Sequence, residues 1–435
     1  MRRYLSGSVF ILIILGVLSA CGNKEGGALN EETNISENMQ EELKPVTLTL
    51  YPQVAVTKED FQVLFAEPVR KKYPHIELMM IDKSGGNTLQ NLFTAGTPPD
   101  MNLIFQGDLP QLRNMDVLED MTELIAKHKF NLNRFEPAYI EAIKVNSDTG
   151  SEIYGIPYSV NFSALYYNID IFNKFGVAYP EDGMTWEDAI KLANRLSRIE
   201  DNVTYRGLDP ESVGRIATLL SPQKTDPATN KSNFNTDKYR KAFEMAYKIY
   251  SIPHNGYVPN KGRASFWTQQ NIAMLASINV IPFLKEPSEK GLNWDIAQHP
   301  SFADNLNVYG QVDGNYIMPL KTSKHKDDIM RVIEAVTSDE AQMVSARQLA
   351  RLTPLRNPDI KNALGADVPH VQGKRIRSIF KSQPAPYLKQ GLYDGKSTNI
   401  SNQALIDLLD GKDLNSVLRD AEEQHNKNLE TEMNK

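Results

Sequence analysis

Between Val46 and Phe105 the chain changes hydrophobic period four times, and that alternation limits its architecture more than any other feature. VTLTLY (46–51) alternates apolar and polar residues, the period-two signature of a strand. Thr57, with Asp60 three residues on, forms a capping box ahead of FQVLFAEPVRKKY, a helix that Pro68 kinks or splits. HIELMMI is a second strand, TLQNLFTAG a short helix, GTPPD a turn, and MNLIF a third strand. A β-α-β-α-β order predicts a mostly parallel sheet covered by helices. A chain of 435 residues is too long for one such core, so two domains are expected.

The alternation continues downstream. TWEDAIKLANRLSRIE starts at Thr185 as N-cap and carries Trp186, Ala189, Ile190, Ala193 and Leu196 on one helical face, which makes Trp186 a core residue. TDKYRKAFEMAYKIYS is a further amphipathic helix, NWDIAQ and NYIMP are strands, and KHKDDIMRVIEAVTS, SDEAQMVSARQLA and the tail from Ser401 are helical, with a break at Gly411. From Ser159 the run SVNFSALYYN alternates as a strand, with Val160, Phe162, Ala164 and Tyr166 on one face and Asn161, Ser163, Leu165 and Tyr167 on the other.

The N-terminus carries a different message. Arg2 and Arg3 precede an apolar run from Val9 to Leu18, long enough for a signal-peptide core and short for a membrane span. Leu18-Ser19-Ala20-Cys21 follows, and Cys21 is the single cysteine, so no disulfide forms within the chain. The segment resembles a bacterial lipobox: cleavage before Cys21 and a diacylglycerol on its sulfur are expected. Residues 1–20 are thus a lipoprotein signal, and 21–45 are the lipidated cysteine and an acidic tether. A coil of that length spans roughly 25–30 Å. Loss of Arg2 and Arg3 with the signal moves the formal net charge from −6 to −8. An acidic chain is a poor nucleic-acid binder. Export to the outer face of the cytoplasmic membrane removes it from ATP chemistry. No histidine pair has metal-ligand spacing, no GxSxG occurs, and neither metal nor cofactor is expected.

Several blocks, in order, resemble the family 1 extracellular solute-binding proteins of ABC importers, relatives of the maltose-binding proteins. They are AGTPPDMNLIFQGDLPQLRNMDVLEDMTELI, where Asp116 stands at a usual glycine; IYGIPYSVNFSALYYNIDIFNKFGVAYPEDGMTWEDAIKLANRLS; FWTQQNIAML, with glutamine for a glycine; and NYIMPLKTSKHKDDIMRVIEAVTSDEAQ. The resemblance implies an α/β fold of two lobes, each a mainly parallel sheet with covering helices, hinged by crossing strands. Lobe 1 would hold 46–157 and 279–340, and lobe 2 would hold 158–278 and 341–435. It implies a monomeric binding protein rather than an enzyme, capturing a carbohydrate between the lobes for a membrane permease. An exported carbohydrate hydrolase and a sensor accessory are the alternatives.

Ligand contacts are expected near strand ends and crossings. Tyr51 and Gln53 follow the first strand, and Gln106 and Asp108 the third. Tyr158, Ser159 and Asn161 lie at the crossing, and Asp313 and Asn315 flank a later strand. Trp267 and Gln269 open the FWTQQ helix, and Asn279 stands near where relatives often place an aromatic residue.

Overall fold

The computed structural model describes residues 44–392, 394 and 398–434. The signal segment, Cys21 and all but the last two residues of the tether lie outside them. Among the described residues no helix is long and apolar enough to cross a membrane.

Twelve strands are described: β1 Val46–Pro52, β2 Ile76–Met80, β3 Met101–Phe105, β4 Ile156–Val160, β5 Ser163–Asn168, β6 Arg198–Glu200, β7 Val203–Asp209, β8 Ile272–Ile278, β9 Trp294–Gln298, β10 Val308–Gln311, β11 Gly314–Pro319 and β12 Gln383–Ala385. They form two five-stranded sheets, ordered β2-β1-β3-β11-β4 and β6-β7-β8-β5-β9, and a small β10-β12 pair. In the first sheet β1 runs parallel to β2 and β3, and β11 is antiparallel to both β3 and β4. In the second, β7 and β8 are parallel, whereas β5 is antiparallel to β8 and β9. Each sheet is therefore mixed, with one or two reversed strands among parallel neighbours.

The helix over Pro68 is neither broken nor sharply divided. Lys58–Phe61 passes through a π-type turn at Gln62–Ala66 into Glu67–Lys72, and the Glu67 N–H bonds Gln62 O, five residues back. Proline has no N–H to offer the carbonyl four residues earlier, and one wider turn absorbs that loss.

Each sheet has its own core. One cluster gathers Leu48, Leu50, Leu103, Ile104, Ile156 and Ile317 beneath helices that supply Phe65, Val69, Ile329 and Ile333. The second sheet is covered on both faces: Leu165, Tyr167 and Leu208 pack with Trp186, Ala193 and Phe243 on one side, and Ala164, Tyr166 and Leu275 with Phe162 and Trp294 on the other. The alternation along 160–167 thus sorts its side chains into two cores, but the run is two strands. β4 pairs with β11 in the first sheet and β5 with β8 and β9 in the second, so the chain crosses from one sheet to the other at Asn161–Phe162. Three segments sit apart from the lobe division set out above: Tyr158–Val160 of β4 pairs in the first sheet, β9, within 279–340, pairs in the second sheet, and Ala346, Leu355 and Ile360 pack in the first core.

Two buried imidazoles, His299 and His425, bound the protein's acid stability. Burial lowers each pKa from 6.5 to about 4. The unfolded chain then binds protons that the folded one refuses, so stability is complete above pH 6.5 and is lost as pH falls through about 4. The expected loss is of order 3 kcal/mol per histidine across that window. Urea midpoints measured between pH 7 and 5 should fall, and His299→Gln with His425→Gln should flatten the slope.

Candidate functional site

The crossings between the sheets bring the site together. Asn161 lies on the β4–β5 crossing and Asp313 on the β10–β11 crossing. The Asn161 N–H donates to Asp313 O at 2.8 Å, and Asn161 Nδ2 donates to Asp313 Oδ1 at 3.1 Å. The crossing between the two five-stranded sheets is thereby tied, at the floor of a cleft, to the turn that joins the β10–β12 pair to the first sheet.

A cavity of about 300 Å³ opens above this floor. β3 ends in it with Phe105, Gly107 and Asp108; the crossing adds Asn161, Phe162 and Ser163; the helix Val213–Thr218 adds Arg215 and Thr218; and Tyr309, Asp313 and Tyr387 close it. Phe105 is 37% exposed, an unusual state for a phenylalanine beside a core. A Cβ on Gly107 would collide with the Phe105 ring, so glycine at 107 is what lets that ring lie across the cavity wall. Burial raises the carboxyl pKa values of Asp108 and Asp313, and that of Asp394 on the same wall to about 6. The wall is therefore aromatic rings beside amide and carboxyl groups, a lining suited to a ligand with apolar faces and hydroxyl edges.

A second cavity of about 480 Å³ adjoins the first, sharing Arg215, Thr218 and Lys224 with it. It extends past the end of β7, where Glu211 and Arg263 join its lining. Among the described residues no group of three or more His, Cys, Asp or Glu side chains could hold a metal ion.

Of the residues expected from sequence, Asp108, Asn161 and Asp313 line the first cavity. The others sit elsewhere, each with a structural partner or neighbour. Tyr51 and Tyr158 are buried in the first core, Tyr158 edge-on to Phe65 at 5.0 Å. Gln53 accepts from Asn102 Nδ2, and Ser159 Oγ accepts from Asn315 Nδ2 at 3.1 Å. Gln106 is fully buried; its Oε1 accepts from the Tyr316 hydroxyl at 3.3 Å while its Nε2 has no partner. Asn279 holds a turn, donating to Ala350 O at 3.0 Å and accepting from the Ile281 N–H at 3.1 Å. Trp267 stacks on Phe283, and Gln269 accepts from Ser265 Oγ. The expectation that Trp267 and Gln269 open a helix is corrected: Trp267 closes the helix Gly262–Trp267, and IAMLASI is strand β8. That apolar run is buried between β7 and β5, and a strand buried on both faces shows no alternation to betray it.

Phe105, Arg215, Lys224, Tyr309 and Tyr387 were not reached from sequence. Phe105 closes MNLIF at a strand's C-terminal end, the one local signal among them; the rest arrive from distant loops and helices.

Residues 54–343, more than half the chain, match the family model described as "Bacterial extracellular solute-binding protein". The chain belongs to that family. This solute-binding protein is 26% identical over 199 residues to a "Multiple sugar-binding protein" of Streptococcus mutans, a match covering 44% of this chain and 40% of the relative. It is 26% identical over 171 residues to an "Arabinooligosaccharide-binding protein" of Bacillus subtilis, covering 38% of this chain and 37% of that one. The matched region spans less than half the length of these relatives. Among solved structures, a substrate-binding protein of Listeria monocytogenes in complex with cycloalternan superposes with a TM-score of 0.70 at 19% identity, covering 88% of this chain and 99% of that one. The sugar-binding protein MalE of Xanthomonas citri gives 0.68 at 21% identity, covering 89% and 98%. At such identities the likeness establishes the two-lobed fold.

Proposed function

We propose that this solute-binding protein captures an oligosaccharide in the cleft between its lobes and delivers it to an ABC permease, held to the outer face of the cytoplasmic membrane by a lipid on Cys21. The observation that carries the reading is the wall formed by the exposed Phe105 ring beside Asp108, Asn161 and Asp313. An aromatic face stacks the apolar face of a pyranose, and the carboxyl and amide groups bond its hydroxyls. The names of the curated relatives, sugar-binding and arabinooligosaccharide-binding, support the ligand class. The lobes we assign follow the sheets, with β1–β4 and β11 in one and β5–β9 in the other. Crossings at Asn161–Phe162 and Val312–Asp313 then act as the hinge, and closure buries the ligand against both lobes. The lipid attachment rests on Leu18-Ser19-Ala20-Cys21 following an apolar run.

Titration calorimetry and thermal shift against oligosaccharides, peptides and small metabolites test this. An oligosaccharide should bind saturably, and at a hundred times its Kd should add about 2.7 kcal/mol of stability. Phe105→Ala should weaken that binding about ten- to a hundredfold by removing the buried ring face. Binding of a peptide or metabolite with no response to any sugar would sink the proposal.

A further inference from the structure

The larger of the two cavities has a charge that a neutral sugar does not use. Its lining includes Arg215, Lys224 and Arg263 against a single carboxylate, Glu211. Glu211 accepts from Arg215 Nε at 3.2 Å and from Arg263 through both Nε and Nη2. One carboxylate thus bridges two guanidinium groups through one edge of each. Arg215 and Arg263 line the cavity with side chains 36% and 33% accessible, and Arg263 Nη2 also donates to Ser277 Oγ at 3.5 Å.

The bridge is built rather than incidental. Glu211 adopts φ +67, a left-handed conformation that costs a non-glycine residue free energy. Asp209, 1% exposed, holds it there by accepting the Glu211 N–H at 2.7 Å. Gly262 allows the close approach, since a Cβ at that position would stand 2.9 Å from the Asp209 carboxyl. The fold therefore spends a strained residue and a buried carboxylate to fix the orientation of two arginines. Lys224 adds a third cation where the two cavities meet, beside Asp394 of the adjoining wall.

A fixed pair of guanidinium groups recognises a planar or tetrahedral oxyanion through paired N–H donors. Because the two cavities share Arg215, Thr218 and Lys224, one chain of sugar residues can occupy both. We infer that the solute is an anionic oligosaccharide: neutral hydroxyls lie against Phe105, Asp108, Asn161 and Asp313, and a carboxylate or sulfate substituent seats on Arg215, Arg263 and Lys224. This inference rests on the reading of the cleft as a sugar site.

Calorimetry with a panel of glucose, galactose and mannose trimers, each in neutral, uronate and sulfated form, tests it. At least one anionic trimer should bind tenfold or more tighter than its neutral counterpart. The preference should shrink in 0.5 M salt, because partly exposed charges are screened. Lys224→Met should cut the anionic preference about tenfold. Tighter binding of the uronate form assigns the substituent as a carboxylate, and tighter binding of the sulfated form as a sulfate; either supports the inference. Neutral trimers binding as tightly as both anionic forms would overturn it and leave sugar capture standing. Failure of every trimer alongside binding of another neutral oligosaccharide would overturn this inference alone, and no response to any sugar would overturn the sugar reading with it. The ligand comparison uses the unmodified protein, so it does not depend on the variant folding.

Discussion

Replacing Asp209 with alanine is expected to destabilise the protein by about 3–5 kcal/mol, seen as a large fall in the urea midpoint at pH 7. The side chains of Asp209 and Arg206 are 2% and 7% exposed, and Arg206 Nη2 donates to Asp209 Oδ2 at 2.7 Å. Arg206 Nε and Nη1 already lack partners, so loss of Asp209 leaves a buried guanidinium with nothing to offset its desolvation. The Tyr250 hydroxyl, 2.9 Å from Asp209 Oδ1, and the Glu211 N–H lose their acceptor in the same change. Asp209→Asn keeps an oxygen acceptor and should cost less than the alanine. The pair Glu286–Lys290 offers the contrast: both side chains are about 70% exposed or more, and water and salt screen them. Its disruption should leave the midpoint unmoved. Release of Glu211 from its left-handed conformation should also loosen Arg215 and Arg263, so any Asp209 variant that still folds should lose affinity for the anionic trimers first.

Trp186→Ala should cost about 3–5 kcal/mol while leaving ligand affinity unchanged. Trp186 is fully buried, in the core with Ala189, Ala193 and Phe243, and meets the His299 ring edge-on at 5.4 Å. Its helix begins with a complete capping box, in which the Thr185 hydroxyl accepts from the Asp188 N–H and the Asp188 carboxylate accepts from the Thr185 N–H. That cap sets the first turn and so aims the indole inward. Removing the ring leaves a cavity that rigid neighbours on a helix and a sheet fill only in part. Calorimetry at saturating ligand, beside a denaturation curve, separates the two effects; a tenfold loss of affinity in a folded variant would show that Trp186 touches the ligand.

The longer amphipathic helices, strands β1–β3, β9 and β11, the Thr57–Asp60 capping box and the Thr185 N-cap were legible because they depend on residues two to four apart. The family was legible because its blocks keep their order along the chain. β8 was not, since IAMLASI is apolar on every side and its strand state depends on β5 and β7 lying to either side of it. The π-type turn before Pro68 was not, because kink, break and wider turn all answer the same missing N–H.

Within the site the division has the same cause. Asp108 and Asn161 stood out as polar residues at a strand end and a crossing, and Asp313 as a flank of β11. Their neighbours did not. Arg215 and Arg263 are far apart in sequence and meet only through Glu211, whose own conformation is set by Asp209. Tyr51 and Tyr158 have side chains that suit a sugar, yet both face a core. Periods of two and 3.6 residues, caps and an apolar leader are local, so the amino-acid order by itself determined part of the element sequence, the α/β class and the expectation of export. Which side chains share a wall depends on where two sheets and their crossings lie in space. Only the tertiary structure decided that Phe105, Asn161 and Asp313 face one cavity and that three cations gather in the next.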